Sequence, residues 1–514
     1  MNGARSLLDT LLACGIDTCF ANPGTSEMHF VAALDQAPGM RCVLGLHETI
    51  ATGMADGYFR IAGKPACTLL HCGPGLANGL TNLHNARRAR SGIVNVVGDQ
   101  ATYHRPHDPP LTADTEGMAR TVSAWVRTST SAAEVGRDAA EAVRAARTTP
   151  GQIATLILPS DASWDEGGIA ADPLPVPAPR AIEADAIDAA AKALRLDGAA
   201  TLILLGGAAL TAEAQRLAWR VARATGAGLM AEFGVAQVAR GRGRVPIERV
   251  PYSTDAAIEA LARFRHLVLV NARPPVGFFA YPGKRSTHYA PEAKLHALSA
   301  LDQDPSAALA GLVSALGAPD AALPDSGPRP GPARGTPTPE GLAQVVAAVM
   351  PEGAIVSDES VSFGRNFYRG THAAAPHDWL HLAGGAIGDG LPVATGAAIA
   401  SRGARRVISL QADGSAMYSL QSLWTQARER LPCTTVILNN RKYAILLGEY
   451  KGVGATPGVN AMSMLDLGNP AIDWVKLANG MGVEAARATT LEECADLMSQ
   501  SFTRPAPFLV DLAI

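Results

Sequence analysis

Short apolar runs alternate with segments of helical periodicity along the whole chain. The runs are CVLGL, ACTLLH and GIVNVVG near the N-terminus, TLILLGG and HLVLVNA in the middle, and AIVSD, RVISLQAD, TTVILNN and PFLVDLAI towards the C-terminus. Strands that alternate with helices form parallel sheets, because the helix returns the chain to the start of the next strand. Helices then cover both faces of the sheet, so its strands are apolar throughout. The predicted fold class is therefore α/β, with doubly wound parallel sheets.

Two proline-rich stretches divide this pattern into three blocks. They are ADPLPVPAPR (171–180) and PDSGPRPGPARGTPTPEG (324–341), and neither can form a helix interior or a central strand. The blocks between them have the size of ordinary domains, which suits a chain of 514 residues that is too long for one core. We predict three domains, at 1–170, 181–323 and 340–514.

Composition limits the partners and the location that we expect. The net charge is -3, so the chain has no basic excess of the kind that binds nucleic acid. Its seven cysteines are scattered singly, without a CxxC pair, which favours a reducing cytoplasm. Polar residues interrupt the N-terminal stretch MNGARSLLDTLLACG, unlike a signal peptide, and no segment has the roughly 20 apolar residues of a membrane span. We expect a cytoplasmic protein without nucleic-acid or membrane partners.

Polar side chains end two neighbouring apolar runs in the third block. Asp413 follows RVISLQA, and Gly414 and Ser415 then open a predicted helix, while Asn439 and Asn440 end TTVIL. Unpaired N–H groups at a helix start bind phosphate, and carboxylate and amide oxygens suit Mg²⁺. These residues therefore predict a Mg²⁺ site that holds a diphosphate. A capped strand–turn–helix with a turn-forming Asn pair would explain them as well.

The spacing of these residues resembles a known cofactor motif. Asp413 and Asn440 are separated by 26 residues, as in the thiamine diphosphate (ThDP) motif GDG followed by about 26 residues and NN, with Ala412 in place of the first glycine. The N-terminal stretches GIDTCFANPGTSEMHFVAAL, LGLHETIATGMADGYFR and ACTLLHCGPGLANGLTNLHNARRARSGIVNVVGDQ resemble the pyrimidine-binding domain of the same enzymes. The whole chain is similar to the ThDP-dependent 2-oxoacid decarboxylase and acetohydroxyacid synthase superfamily. The chain resembles its members benzoylformate decarboxylase and acetolactate synthase large subunit.

The resemblance assigns roles to three residues of the first block. Glu48, in LHETIATGMADGYFR, matches the glutamate that hydrogen-bonds the aminopyrimidine of ThDP and promotes loss of the C2 proton. His71 matches an active-site histidine of benzoylformate decarboxylase, and an imidazole can exchange protons near neutral pH. Thr25, in ANPGTSE, matches a substrate-binding serine. Without the resemblance, these would be a helix-start carboxylate, a structural histidine and a turn residue.

The resemblance also assigns cofactor contacts in the third block. In HLAGGAIGDGLP, the Gly385 carbonyl would accept a hydrogen bond from the 4′-amino group, and Ile387 would support the bent cofactor. Ser362, in DESVS, would contact the diphosphate together with Gly414 and Ser415. The Lys442 carbonyl would complete a Mg²⁺ ligand set with Asp413 and Asn440.

The chain departs from the superfamily at three places. The stretch PPVGFFAYPGKRS lacks the second active-site histidine of benzoylformate decarboxylase. Glu449 stands where those enzymes have an aromatic pocket wall and acetohydroxyacid synthases have a tryptophan, unless it points to solvent. The paired glycines of LLGGAAL lack the spacing of a dinucleotide site, so we do not expect FAD.

Three functions remain open from the sequence. The favoured one is a ThDP- and Mg²⁺-dependent 2-oxoacid decarboxylase with carboligase activity. The second is an acetolactate synthase-type carboligase, and the third is a catalytically silent assembly protein, which retention of Glu48, Asp413 and Asn440 argues against. The resemblance implies a homodimer or homotetramer in which Glu48 acts across the subunit interface. The identity of the 2-oxoacid is not encoded in any motif.

Overall fold

The first of three sheets is entirely parallel and is built by the N-terminal third of the chain. A computed structural model describes residues 1–514. The strands are β1 (Thr18–Ala21), β2 (Arg41–Leu44), β3 (Ala66–His71), β4 (Ile93–Asp99), β5 (Trp125–Thr128) and β6 (Ile153–Pro159), in the order β2-β1-β3-β4-β6-β5. The helices are α1 (Gly3–Ala13), α2 (Met28–Ala33), α3 (Glu48–Ala62), α4 (Cys72–Ala89), α5 (Thr115–Arg120), α6 (Ala132–Arg147) and α7 (Ser160–Trp164).

The second sheet, in the middle of the chain, is also parallel. Its strands are β7 (Thr201–Leu205), β8 (Gly228–Ala231), β10 (Glu248–Arg249), β11 (His266–Val270) and β12 (Lys294–Ser299), in the order β10-β8-β7-β11-β12. Helices α8 (Ala184–Asp197), α9 (Ala212–Thr225), α10 (Thr254–Leu261) and α11 (Pro305–Leu316) accompany these strands. The strand order reverses direction between β7 and β11, as in a doubly wound fold.

The third sheet has seven strands, one of them from the middle of the chain. They are β9 (Gln237–Arg240), β13 (Ile355–Glu359), β14 (His377–His381), β15 (Val407–Ala412), β16 (Cys433–Asn439), β17 (Glu484–Ala488) and β18 (Phe508–Ala513). Their order is β17-β18-β16-β15-β13-β14-β9, and β9 pairs antiparallel with β14 while the rest is parallel. The helices are α12 (Pro339–Val349), α13 (Phe367–Gly370), α14 (Gly390–Ala400), α15 (Asp413–Ala416), α16 (Ser422–Arg428), α17 (Ala444–Gly452), α18 (Val459–Ser463), α19 (Trp474–Gly480) and α20 (Leu491–Phe502).

The predicted α/β class with three doubly wound sheets is confirmed, and each apolar run coincides with a strand. These strands are mostly buried except β2, in which Arg41 and Cys42 are exposed. The antiparallel edge strand β9 was not predicted. It ties the middle of the chain to the third sheet, since residues before and after it belong to the second sheet. None of the helices combines the length and the apolar composition needed to cross a membrane.

The first and third sheets share one hydrophobic core. A cluster of 27 buried residues includes Phe20 and Val43 from the first sheet and Ile355 and Val407 from the third. Helices α3 and α14 meet at its centre, where glycines permit close approach. A Cβ on Gly57 would lie 2.1 Å from the carbonyl oxygen of Val393. This contact fixes α3, and therefore the start of α3 at Glu48, relative to the third sheet.

Candidate active site

His71 ends β3 and is held by a buried carboxylate. Its Nδ1 lies 3.0 Å from Oε2 of Glu27 and 3.0 Å from the hydroxyl of Ser26. The second carboxylate oxygen of Glu27 accepts a hydrogen bond from Ser26, and the backbone N–H of Gly24 donates to Oε2 over 2.7 Å. Glu27 is 1% exposed, so it cannot exchange these partners for water. The arrangement fixes the imidazole ring and directs one ring nitrogen at a carboxylate.

Two glycines leave the space that this pair occupies. A Cβ on Gly24 would lie 2.3 Å from Cγ of His71, and a Cβ on Gly98 would lie 1.7 Å from Oε1 of Glu27. Neither position therefore admits a larger residue without moving the pair. Cys72, which follows His71, has a positive φ of 51°, a conformation that is uncommon outside glycine.

Glu48 begins α3 and is 7% exposed. The amide of Asn78 donates to its Oε2 over 3.0 Å. A Cβ on Gly75 would lie 3.3 Å from Oε1 of Glu48 and 3.4 Å from Cβ of His71, so these two predicted site residues flank the same glycine. The structure therefore brings a carboxylate and an imidazole together at the carboxyl edge of the first sheet.

A row of asparagines on α4 connects this edge to the third sheet. Asn78 contacts Glu48, Asn82 donates to the carbonyl of Gly388 over 3.3 Å, and Asn85 exchanges two hydrogen bonds with the backbone of Ala386. The spacing of 78, 82 and 85 places all three on one face of the helix. The loop 384–388, which contains the predicted cofactor contacts Gly385 and Ile387, is thereby held by α4.

Thr25 lies apart from these contacts. It is exposed, and the neighbouring Ser26 is the residue whose hydroxyl reaches His71. Sequence reasoning missed Ser26, Glu27 and Asn78. Two signals were available: a glutamate three residues after Gly24 in NPGTSE, and the helical spacing of asparagines in LANGLTNLHN.

The predicted metal ligands meet at the carboxyl ends of β15 and β16. These strands are parallel neighbours in register from Val407–Cys433 to Ala412–Leu438. Asp413 is 1% exposed and accepts hydrogen bonds from the N–H of Gly414 (2.9 Å) and of Arg441 (2.6 Å). Burial raises the pKa of this carboxyl, and the backbone N–H groups oppose the rise. One anion is therefore fixed at the junction of the two strands.

The two adjacent asparagines separate at the end of β16. Asn439 is buried and donates to Oδ1 of Asp511 over 2.9 Å, whereas Asn440 is half-buried and its Oδ1 accepts from the N–H of Lys442 over 3.0 Å. The Lys442 carbonyl accepts from the N–H of Ala444 over 2.9 Å and keeps a second lone pair. Asn440 and Lys442 thus lie together, while Asn439 has a structural partner of its own.

The predicted helix after Asp413 is interrupted. Helix α15 ends at Ala416, and α16 begins only at Ser422. Tight i to i-3 hydrogen bonds fill the gap, among them Tyr418 N–H to the Ser415 carbonyl. Met417 and Tyr418 in the gap are exposed, so this segment presents no continuous apolar face to the rest of the fold. Gly414 and buried Ser415 still form the first turn, and a Cβ on Gly414 would lie 2.5 Å from the ring of Tyr443.

Glu359 holds the loop that precedes α14 through hydrogen bonds to its backbone. Its two carboxylate oxygens accept hydrogen bonds from the N–H of Gly388 and of Gly390, both over 2.6 Å. Burial raises the pKa of Glu359 to about 7, although both N–H groups lower it. Gly385 has a φ of +83°, and a Cβ there would lie 2.3 Å from the ring of Phe278. Ile387 is half-buried in the same loop.

Ser362 stands just before the 3-10 turn Phe363–Asn366 and is half-buried. Its neighbour Ser360 turns its hydroxyl to Asp358, which also accepts from the indole of Trp379 over 3.1 Å. Ser362 makes no side-chain hydrogen bond within the chain, so its hydroxyl is free to donate to a ligand.

Glu449 does not simply point to solvent. Its carboxylate accepts hydrogen bonds from the hydroxyls of Tyr252 (3.1 Å) and Tyr281 (2.7 Å). Burial and the carboxylate raise the pKa of Tyr281 to about 12. Tyr252 packs against Phe278, with ring centroids 5.7 Å apart, and Phe278 lies against Gly385. An aromatic wall from the middle of the chain thus extends from Glu449 to the predicted cofactor loop.

The paired glycines of LLGGAAL form the turn after β7, and a side chain lies against them. A Cβ on Gly206 would lie 2.5 Å from Oε1 of Glu232. Nη2 of Arg90 approaches the same oxygen at 3.7 Å, and the N–H of Arg273 donates to Oε2 over 3.3 Å. The Glu232 carboxylate therefore lies directly against the glycines of this turn.

Comparison with known proteins places this geometry in a family. Residues 1–118 match the model described as the N-terminal TPP binding domain of thiamine pyrophosphate enzymes, and residues 363–512 match the C-terminal TPP binding domain. A Mycobacterium tuberculosis protein named for the acetolactate synthase large subunit (IlvX) is 48% identical over 100% of this chain and 99% of its own length. The chain belongs to the ThDP-dependent decarboxylase and acetolactate synthase family.

Other family members cover the same length. The benzoylformate decarboxylase of Pseudomonas aeruginosa is 29% identical over 97% of this chain and 96% of its own. A solved structure of the Rhodococcus jostii ThDP-dependent 4-hydroxybenzoylformate decarboxylase superposes with a TM-score of 0.83 at 26% identity, covering 99% of this chain and 98% of that one. The protein is accordingly an enzyme of a family that acts on 2-oxoacids. The expected superfamily resemblance is confirmed.

Proposed function

We propose that the protein is a ThDP- and Mg²⁺-dependent 2-oxoacid decarboxylase. The observation that carries this proposal is the pairing of His71 with buried Glu27, directly beside Glu48 at the edge of the first sheet. An imidazole that is oriented by a carboxylate is a common general acid in enzymes. Proton donation by His71 would favour release of an aldehyde. A site without such a donor would instead favour attack on a second carbonyl.

The residues at the ends of β15 and β16 suit the cofactor's diphosphate and its metal. Asp413, Asn440 and the Lys442 carbonyl are oxygen donors, which Mg²⁺ prefers. Gly414, Ser415 and Ser362 would contact the phosphates, and the glycine at 414 leaves room for the ring of Tyr443. When bound, ThDP supplies the electron sink for loss of CO₂ from a 2-oxoacid.

The chain's own residues then divide the remaining work. The Gly385 carbonyl and Ile387 would position the aminopyrimidine of the cofactor. Glu48 would hold a proton at the ring nitrogen of that aminopyrimidine. Asn78 keeps the Glu48 carboxylate oriented through the 3.0 Å hydrogen bond. Thr25 would contact the substrate carboxylate from the exposed start of its turn. The aromatic wall around Phe278 would exclude water from the substrate.

A second function is favoured by the name of one relative. The protein that is 48% identical along the whole chain is named for the acetolactate synthase large subunit. An acetolactate synthase-type carboligase would use the same cofactor residues but join the product fragment to a second 2-oxoacid.

One incubation separates the two functions. The purified protein would be mixed with ThDP, Mg²⁺ and, one at a time, pyruvate, 2-oxobutyrate, branched-chain and aromatic 2-oxoacids, with NMR following substrate and product. The decarboxylase proposal expects an aldehyde from at least one of them. Acetolactate from pyruvate without aldehyde would overturn it in favour of the carboligase. No turnover of any 2-oxoacid by protein with bound ThDP would contradict both.

Replacing Glu48 with Gln tests the proposed proton role directly. We expect E48Q to bind ThDP with little change but to slow hydrogen–deuterium exchange at cofactor C2 by at least about a hundredfold, as for loss of a general acid–base group. Exchange is measured by acid quench and proton NMR. Exchange at the wild-type rate would contradict the assigned role of Glu48.

A further inference from the structure

Three cysteines form a row across the first sheet. Cys19 of β1 is the register partner of Cys42 in β2 on one side and of Cys67 in β3 on the other. Register partners on neighbouring strands project from the same face of a sheet, so the three side chains lie side by side. None of these thiols has a part in the proposed reaction.

Access to the row is from one end only. Cys42 is exposed on β2, which is the edge strand of the sheet. Cys19 and Cys67 are fully buried in a core of 27 residues that also contains Leu7 and Val94. A reagent from solution therefore reaches Cys42 first, and the only thiol next to Cys42 is that of Cys19.

The edge position of β2 favours the pair Cys19–Cys42 over Cys19–Cys67. Neighbouring strands lie about 4.8 Å apart, and a disulfide spans about 4.4 to 6.8 Å between Cα atoms. Its Cβ atoms must approach within about 4.5 Å, so one strand has to shift slightly. Strand β2 has four residues and one neighbour, whereas β3 is held between β1 and β4. The edge strand can make this adjustment and the interior strand cannot.

We propose that Cys42 and Cys19 form a thiol–disulfide exchange site for a low-molecular-weight disulfide. The Cys42 thiolate attacks one sulfur of the disulfide, forms a mixed disulfide and expels the first small thiolate, which takes up a proton. The Cys19 thiol attacks the Cys42 sulfur, closes the Cys19–Cys42 bond and passes its proton to the second small thiolate, which leaves as a thiol. Two protein thiols are oxidised and one small disulfide is reduced to two thiols. The neighbouring Cys19 thiol raises the pKa of the Cys42 thiol, so exchange is slow and calls for a long incubation.

Peptide mapping after incubation with oxidised glutathione tests this site. Full-length protein is incubated, its free thiols are alkylated under denaturing conditions, and it is cleaved after arginine and lysine. Arg41 is the only such residue between Cys19 and Cys42, so the two cysteines fall in the peptides 6–41 and 42–60. We expect these peptides to be joined with the loss of two hydrogens, and fragment ions to place the bond at Cys19 rather than Cys14.

Variants provide the controls. Cys14→Ser and Cys67→Ser should still give the joined peptides, whereas Cys19→Ala should stop at a glutathione adduct on Cys42. Fragment ions of the wild-type protein give the same answer if Cys19→Ala does not fold. A wild-type protein that keeps the adduct on Cys42 without joining, or that joins through Cys14, overturns the proposal.

Discussion

Asn439 and Asn440 are neighbours in sequence with different partners in the structure. Asn439 is buried and pairs with Asp511, while Asn440 lies beside Lys442 at the proposed metal site. Their types are identical, so only the alternation of side chains at a strand end distinguishes them. A pair of matched alanine variants should therefore separate a structural from a ligand role.

We expect Asn439→Ala to destabilise the fold by about 1 to 3 kcal/mol, because it leaves the buried Asp511 carboxylate without its amide partner. Asn440→Ala should change the free energy of unfolding by less than about 0.5 kcal/mol, as is usual away from buried features. The same substitution should weaken Mg²⁺-dependent ThDP binding at least about tenfold, because it removes one proposed oxygen ligand of the metal. Urea unfolding and fluorescence titration with ThDP measure the two effects. The opposite pattern would exchange the roles assigned to the two residues.

At the scale of elements, the contact between α3 and α14 depends on glycine. A Cβ on Gly57 would lie 2.1 Å from the Val393 carbonyl oxygen and 2.7 Å from its Cα, and backbone atoms cannot rotate away. We expect Gly57→Ala to destabilise the protein by about 1 to 3 kcal/mol through forced separation of the helices. Thermal or urea unfolding measures this.

Gly448, inside α17, is the control for the same substitution. Nothing lies within 4 Å of a Cβ at this position. Gly448→Ala should therefore stabilise the protein by up to about 1 kcal/mol, the usual difference in helix propensity. A Gly57→Ala protein as stable as the wild type would show that α3 and α14 are not in backbone contact.

The loop before α14 should give the protein a pH-dependent stability through Glu359. Burial raises its pKa from 4.5 in the free residue to about 7 in the fold. The folded state then binds more protons than the unfolded state between these values, so the contribution of Glu359 to the free energy of unfolding falls as the pH rises from about 4.5 to 7. The full difference is about 3 kcal/mol.

Unfolding of the wild type and Glu359→Gln from pH 5 to 8 measures this contribution. The variant loses an N–H acceptor at every pH, so the informative quantity is the slope, which should be flatter for Glu359→Gln than for the wild type. The exposed Glu213, replaced by Gln, is the control and should keep the wild-type slope. Parallel curves for wild type and Glu359→Gln would show that the buried carboxyl does not titrate in this range.

At the scale of the molecule, the chain brings its site residues together in two groups. Glu48, His71 and Glu27 lie at the edge of the first sheet, and Asp413, Asn440 and Lys442 lie at the edge of the third. No hydrogen bond or ion pair within the chain joins the two groups directly. We propose that a homodimer, or a homotetramer built from such dimers, joins the first group of one subunit to the second group of its partner.

Complementation between two inactive variants tests this assembly. A dimer of one Glu48→Gln subunit and one Asp413→Asn subunit would contain one doubly substituted site and one intact site. Random mixing of subunits during coexpression should therefore restore about a quarter of the wild-type activity, as two-fold symmetry requires. Each variant alone is the control and should be inactive. A coexpressed mixture without activity would place each complete site within a single chain.

Local sequence pattern determined much of this protein. Nine apolar runs of five to eight residues predicted nine of the eighteen strands. The ends of these strands indicated where Asp413, Asn440 and His71 would lie, because side chains at the carboxyl ends of parallel strands converge at one edge. The spacing of Asp413 and Asn440 was readable because it spans one strand–helix–strand unit. The interrupted helix after Asp413 was not, since its break depends on which residues the rest of the fold leaves exposed.

Tertiary structure alone decided the partners of the site residues. Glu449 meets Tyr252 and Tyr281 across 197 and 168 residues of sequence, and His71 meets Glu27 across 44. The antiparallel strand β9 joins the third sheet although its neighbours in sequence belong to the second. The hydrophobic periodicity and propensity of a segment determine whether it forms a helix or a strand and which face each side chain occupies. Which distant side chains then meet depends on how whole sheets pack. The sequence by itself therefore determined the fold class and the strand ends at which the candidate site residues lie, and packing between the sheets decided which side chains contact them.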